Sequence, residues 1–280
     1  MKVKKQKLGG RNMSLIITVC TSEGIVLASD SRSTYTKTEN NGGATIIKYG
    51  IHSSDTTYKT FMCDEKIGIS TCGNGTISGK SIASHIESYI NNEYTKTDTV
   101  GDTAQKILNY FSKMPHSEPV IFHVAGYDKE NGQDIPRLYR IVTLVNHKAV
   151  VIDNNCGAQW DGEAATLTRI IKNGYVVSET QVVRPQMVKV VSKDDQGVEK
   201  EEIRTDCMLI PQDAVCHPEM DIAWGLMTLQ DGIEFAEYAI KTTIDTMRFQ
   251  MAPKTVGNPI DILIIKPDGA KWIRHKELHA

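Results

Sequence analysis

The 280-residue chain has no run approaching about 18 apolar residues, so no membrane-spanning helix is expected. Its N-terminal basic cluster (Lys2, Lys4, Lys5, Lys7 and Arg11) is not followed by an apolar stretch of about 7–15 residues, which excludes a secretory signal. An excess of charge of one sign is also missing. The formal net charge is −2 and the pI about 6.5, which gives neither nucleic acid nor an anionic membrane a reason to bind. None of the six cysteines (Cys20, Cys63, Cys72, Cys156, Cys207 and Cys216) forms a CxxC pair. In a chain of this length they read as reduced, mostly buried thiols of a cytosolic protein. Cys216-His217 has no further ligands at metal-site spacing, and His85, His116 and His123 show none either, so no metal or organic cofactor is expected. No linker and no internal repeat is visible.

What is present is a series of short strands and a few helices. Residues 15–21 (LIITVCT) and 25–31 (IVLASDS) form two β-branched runs about Ser22-Glu23-Gly24, a hairpin with one partly buried strand. Residues 33–57, rich in Thr, Asn, Gly and Ser, read as an extended hairpin or loop. A second hairpin joins 58–63 to 67–72, and Gly73-Asn74-Gly75 is a tight turn from strand to helix. Ile77, Ile82, Ile86 and Tyr89 mark that helix, and a second runs over about 102–113. Strands follow at 118–126, 137–144 and 148–153, then a helix over about 160–173. Charges around Gln196-Gly197 suggest an exposed hairpin between 182–191 and 201–210. Helical periodicity returns at 223–249, and Pro267-Asp268-Gly269 turns a last hairpin of 259–265 with 270–275. Hairpins and helix pairs in place of βαβ units argue for antiparallel sheets in a layered α+β domain.

The opening segment SLIITVCTSEGIVLASDSRST resembles the N-terminal hairpin of proteasome β subunits and of the related bacterial heat-shock peptidase. Asp30 and Arg32 match that family's Asp-x-Arg, and counting back to its nucleophile reaches Ser14. YKTFMCDEKIGISTCGNGT is similar to the next hairpin of the family, which puts the catalytic lysine at Lys59 and the oxyanion-binding glycine at Gly73. VAGYDKENGQDIPRLYRI resembles the family's AGYD…P-x-LY hairpin. NNCGAQ falls where the family has a Gly-Ser-Gly turn, so Cys156 takes the place of its serine. The family's late supporting aspartate is assigned to Asp245, at the end of the long helix. The likeness covers most of the chain except 37–55 and about 174–222, the latter an insertion.

The resemblance implies a four-layer α/β/β/α sandwich, two antiparallel sheets between helix layers, with 14–280 as a single N-terminal-nucleophile hydrolase domain. It also implies a peptide-cleaving serine-type activity on peptides or unfolded proteins, inside a cytoplasmic homo-oligomeric ring. A non-protease amidase and an inactive ring-building subunit are the alternatives, and whether an unfoldase feeds the ring stays open. The chemistry needs Ser14 to carry a free α-amine as its base. Residues 1–13 therefore read as a propeptide cut at Met13-Ser14, or as a misassigned start with translation from Met13 and methionine removal. The second reading is preferred. A retained extension would leave the subunit silent.

Overall fold

Leu15–Cys20 and Ile25–Ser29 (β1 and β2) are buried at every position, so both strands are covered on two faces. The hairpin was expected to have one partly buried strand. Both are enclosed because neither lies at an edge of the finished sheet. The computed structural model describes residues 14–41, 44–172, 176–177, 181–193, 199–211, 215–216, 220 and 222–277, with 36–51 and 172–216 described as backbone elements only. The 1–13 extension lies outside the described residues.

The protein is α+β, and every paired strand is antiparallel. In chain order the next elements are β3 (Ser33–Asn41), β4 (Ala44–Ser54), β5 (Thr60–Met62), β6 (Ile67–Gly73), β7 (Thr76–Ile77) and β8 (Lys80–Ser81). Helices α1 (Ile82–Asn92) and α2 (Val100–Ser112) follow. Then come β9 (Val120–Glu130), β10 (Gln133–Val142), β11 (His147–Asp153), β12 (Gly157–Gly162) and the single turn α3 (Ala165–Leu167). After β13 (Val176–Val177), β14 (Gln181–Lys193), β15 (Glu199–Pro211) and β16 (Val215–Cys216), the chain closes with α4 (Leu229–Met247), β17 (Asp261–Lys266) and β18 (Gly269–Arg274). Two compact units result, Met1–Leu167 with Ile222–Ala280, and Thr168–Asp221.

The larger unit holds two five-stranded sheets, ordered β12-β1-β2-β17-β18 and β11-β10-β9-β6-β5. Cys20, Leu27 and Leu263 of the first pack with Ala125, Leu138 and Ile152 of the second in one buried cluster. Gly68 marks the close approach of the sheets, since a Cβ there would stand 2.9 Å from Leu263 Cδ2. The other face of the second sheet carries α1 and α2, through Ile86, Tyr89, Ile107 and Phe111 against Ile69 and Phe122. Helix α4 packs on β1 and β2, burying a stripe of Ile233, Ala236, Ile240 and Met247 at helical spacing. Capping boxes, Thr99 with Asp102 and Thr228 with Asp231, fix the starts of α2 and α4. Among the described residues no helix is long and apolar enough to cross a membrane.

In the smaller unit β14 pairs with β15 from Gln181↔Pro211 to Lys193↔Glu199, the hairpin read from the sequence. Its connecting residues, 194–198, are outside the described set.

Two helix expectations are corrected. Ile77 belongs to the small β7–β8 hairpin, and α1 begins only at Ile82, where Ser81 caps Ser84 N–H. The helix expected over about 160–173 starts later: residues 157–162 are a strand, because β1 takes them as its outer partner, Leu15↔Gly162 to Cys20↔Gly157, and helical structure covers 165–172. Pairing across the sheet overrides the local helical preference of this stretch.

Candidate active site

Asp30, directly after β2, is completely buried and accepts four hydrogen bonds. Oδ1 receives Leu15 N–H at 3.0 Å and Lys59 Nζ at 2.7 Å. Oδ2 receives Arg32 N–H at 2.9 Å and Gly257 N–H at 3.0 Å. A carboxylate so surrounded by donors is fixed in place. Lys59, 3% exposed, leads into β5 and also donates to the Arg32 carbonyl. Burial pulls its ammonium below the ordinary lysine range, against the opposing pull of Asp30. Arg32 points the other way and forks onto Asp55 with two bonds of 2.7 Å, which draws the Asp55 carboxyl down.

Ser14 heads β1 and is 3% exposed. With Ser33, Tyr58, Lys59, Thr71 and Gly73 it lines a cavity of about 70 Å³. Gly73 closes β6 with φ +97°, and a Cβ there would meet the Pro119 carbonyl at 2.5 Å. The Thr71 hydroxyl is buried and has no hydrogen-bond partner among the described residues. Four of the residues expected to act together, Ser14, Asp30, Lys59 and Gly73, thus meet at one place. They come from two sheets: Ser14 and Asp30 from the first, Lys59 and Gly73 from the second.

Cys156 and Asp245 do not join them. Cys156 precedes Gly157, the partner of Cys20, whereas Ser14 lies at the Gly162 end of the same strand pair. The six residue steps from Ser14 to Cys20, at about 3.3 Å each, put Cys156 at least roughly 20 Å along the sheet from Ser14. Burial and Cys156 together push the Cys20 thiol up to about 12. Asp245 sits on the exposed side of α4, 4.0 Å from Arg248. Helix α4 packs on the sheet and does not line the cavity.

The turn that does touch Ser14 is Gly162-Glu163-Ala164. Glu163 N–H donates to the Ser14 carbonyl at 2.8 Å, and Gly162 has φ +99°. A Cβ on Gly162 would fall 1.7 Å from that same carbonyl oxygen. Gly162→Ala is therefore expected to cost about 3 kcal/mol or more, from backbone strain and overpacking together. Gly79→Ala, with φ +80° but nothing within 4 Å, tests strain alone and should cost about 1 kcal/mol. Denaturant unfolding of the pair checks this; equal losses would mean that contact with Ser14 contributes nothing.

Next to Gly162 a second charged cluster crosses between the sheets. Asp161 on β12 accepts two bonds from Arg140 at 2.6 and 2.7 Å, one from His123 Nε2 at 3.0 Å and one from Gln159 at 3.1 Å. His123 Nδ1 lies 2.9 Å from Thr18 Oγ1, and both residues are fully buried. Burial pushes the Asp161 carboxyl up, but the bonds from His123 and Arg140 outweigh it and hold it well below the usual carboxylate range. A depressed folded-state pKa contributes stability that is present above the unfolded value, near 4, and lost as pH falls toward the folded one. The stability gap between the wild type and Asp161→Asn should therefore shrink as pH drops from about 6 to about 2. Denaturation at a series of pH values measures it; a constant gap would mean that the carboxylate charge is not what stabilises.

Four of these contributors were not read from the sequence. Gly257 comes from a loop more than 200 residues after Asp30. Gly162 and Glu163 were hidden in a stretch read as helix, and His123 was read as structural. No family model matches the sequence, and no curated protein matches it.

Proposed function

We propose that this chain is an N-terminal-nucleophile hydrolase that cleaves peptide bonds, with Ser14 as nucleophile. The observation that carries this reading is the buried Lys59–Asp30 pair, 2.7 Å apart, whose lysine lines one cavity with Ser14. A lysine shut away from water and bonded to a fixed carboxylate is a costly arrangement, and such groups concentrate at working sites.

Once its α-amine is free, Ser14 Oγ attacks the substrate carbonyl carbon and passes its proton to that amine. The positive charge of Lys59 favours the deprotonated forms of hydroxyl and amine, and Asp30 holds Lys59 in place. The Gly73 amide is assigned to the developing oxyanion. The C–N bond then breaks, the leaving amine takes the proton, and water hydrolyses the Ser14 ester to regenerate the enzyme. The arrangement of two antiparallel sheets, with α1 and α2 against one and α4 against the other, supports reading the larger unit as the four-layer α/β/β/α sandwich. A cytoplasmic homo-oligomeric ring acting on unfolded chains belongs to the same reading.

Intact mass and N-terminal sequencing of the protein from its own cells test it, together with hydrolysis of fluorogenic peptides. The expected result is a chain beginning at Ser14 that cleaves peptides. A chain that keeps residues 1–13 and cleaves nothing would overturn the enzyme reading in favour of a ring-building subunit.

A further inference from the structure

Ser14 and Asp30 stand on one sheet, Lys59 and Gly73 on the other, so the gap between the sheets sets the distance between nucleophile and partners. On one side of Ser14 the Lys59–Asp30 bond fixes that gap. On the other side the Ser14 carbonyl rests on Gly162-Glu163, at the end of β12. Among the described residues strand β12 is the edge of its sheet, so pairing with β1 is its only ladder there. A strand end held by one ladder frays readily. What ties it to the opposite sheet is Asp161, gripped by Arg140 on β10 and His123 on β9. His123 in turn reaches Thr18 on β1. Cys72, the residue before Gly73, packs against Gly162, where an added Cβ would lie 3.4 Å from the Cys72 side chain.

We infer that Asp161, held by Arg140 and His123, is a positioning residue that fixes the spacing between Ser14 and the Lys59–Gly73 half of the site. This rests on Ser14 being the nucleophile. Asp161 never meets the substrate; it acts through Gly162 and Glu163. Misplacing a nucleophile by about 1 Å costs on the order of 100-fold in rate.

The test uses a β-lactone probe on the mature protein. Ser14 Oγ bonds to the lactone carbonyl carbon, the ring C–O bond opens, and the freed alkoxide takes the hydroxyl proton. The protein then gains the mass of the probe. In Asp161→Asn the maximal labelling rate is expected to fall at least about tenfold, while the half-saturating probe concentration changes little. Arg140→Lys keeps the charge but loses the two-pronged grip, and it should fall between that variant and the wild type. It also serves if Asp161→Asn does not fold. Labelling at the wild-type rate in variants that are only less stable would overturn the inference and leave the Ser14 reading standing. Absence of label on Ser14 in the wild type would overturn both.

Discussion

Replacing Ser14 with alanine is expected to abolish peptide hydrolysis and leave the fold unchanged. The restraints on residue 14 run through backbone: Glu163 N–H to its carbonyl, Leu15 N–H to Asp30, and Asp30 N–H to the Leu15 carbonyl. Alanine keeps all of these and adds no volume, so stability should stay within about 1 kcal/mol. The loss in kcat should be about 10³-fold or more, because no other group replaces the attacking oxygen. Fluorogenic peptide hydrolysis together with thermal unfolding measures both. Undiminished hydrolysis by a well-folded Ser14→Ala protein would remove Ser14 from the chemistry.

Asp30→Asn should damage fold and activity together. Each carboxylate oxygen of Asp30 receives two donors. Whichever way the asparagine amide turns, its NH₂ faces two N–H groups. Lys59, 3% exposed, is left with its charge uncompensated. Removing one partner of a buried pair costs about 3–5 kcal/mol. Adding Lys59→Met should recover part of that stability, since the stranded ammonium is gone, but none of the activity. Denaturant unfolding of the single and double variants tests the coupling. A loss below about 1 kcal/mol in the single variant would mean that water reaches the pair and screens it.

The parts of the fold that were legible in the sequence are those with strong local pattern. LIITVC and IVLAS are mostly apolar, β-branched-rich strands, the Pro267-Asp268-Gly269 turn stands between β17 and β18, and the α4 stripe repeats at helical spacing. Of the residues that the resemblance singles out, Ser14, Lys59 and Gly73 line one cavity and Asp30 is bonded to Lys59 beside it, because hairpins carry their residues in fixed register. What failed depended on partners far along the chain. GAQWDG has little strand propensity and becomes β12 only because β1 needs an outer neighbour. Cys156 was placed by its neighbours in sequence, yet six steps of strand separate its end of the ladder from Ser14. Asp245 was chosen by position on a helix whose buried face looks at β1 and β2 and not at the cavity. Gly257 has no local signature at all, since its use is an amide aimed at Asp30.

The Gly257 contact also sets the order of events in biosynthesis. Asp30 draws on an amide 227 positions later, and Ser31 bonds to the carbonyls of Gly257 and Pro259. At about 5–20 residues per second, the ribosome needs on the order of 10–45 s to pass from the first of these positions to the last. Throughout that interval the nascent chain holds Asp30 and then Lys59 without the loop that completes their surroundings. The charged centre closes only when this late segment emerges, so the site is assembled among the last acts of folding.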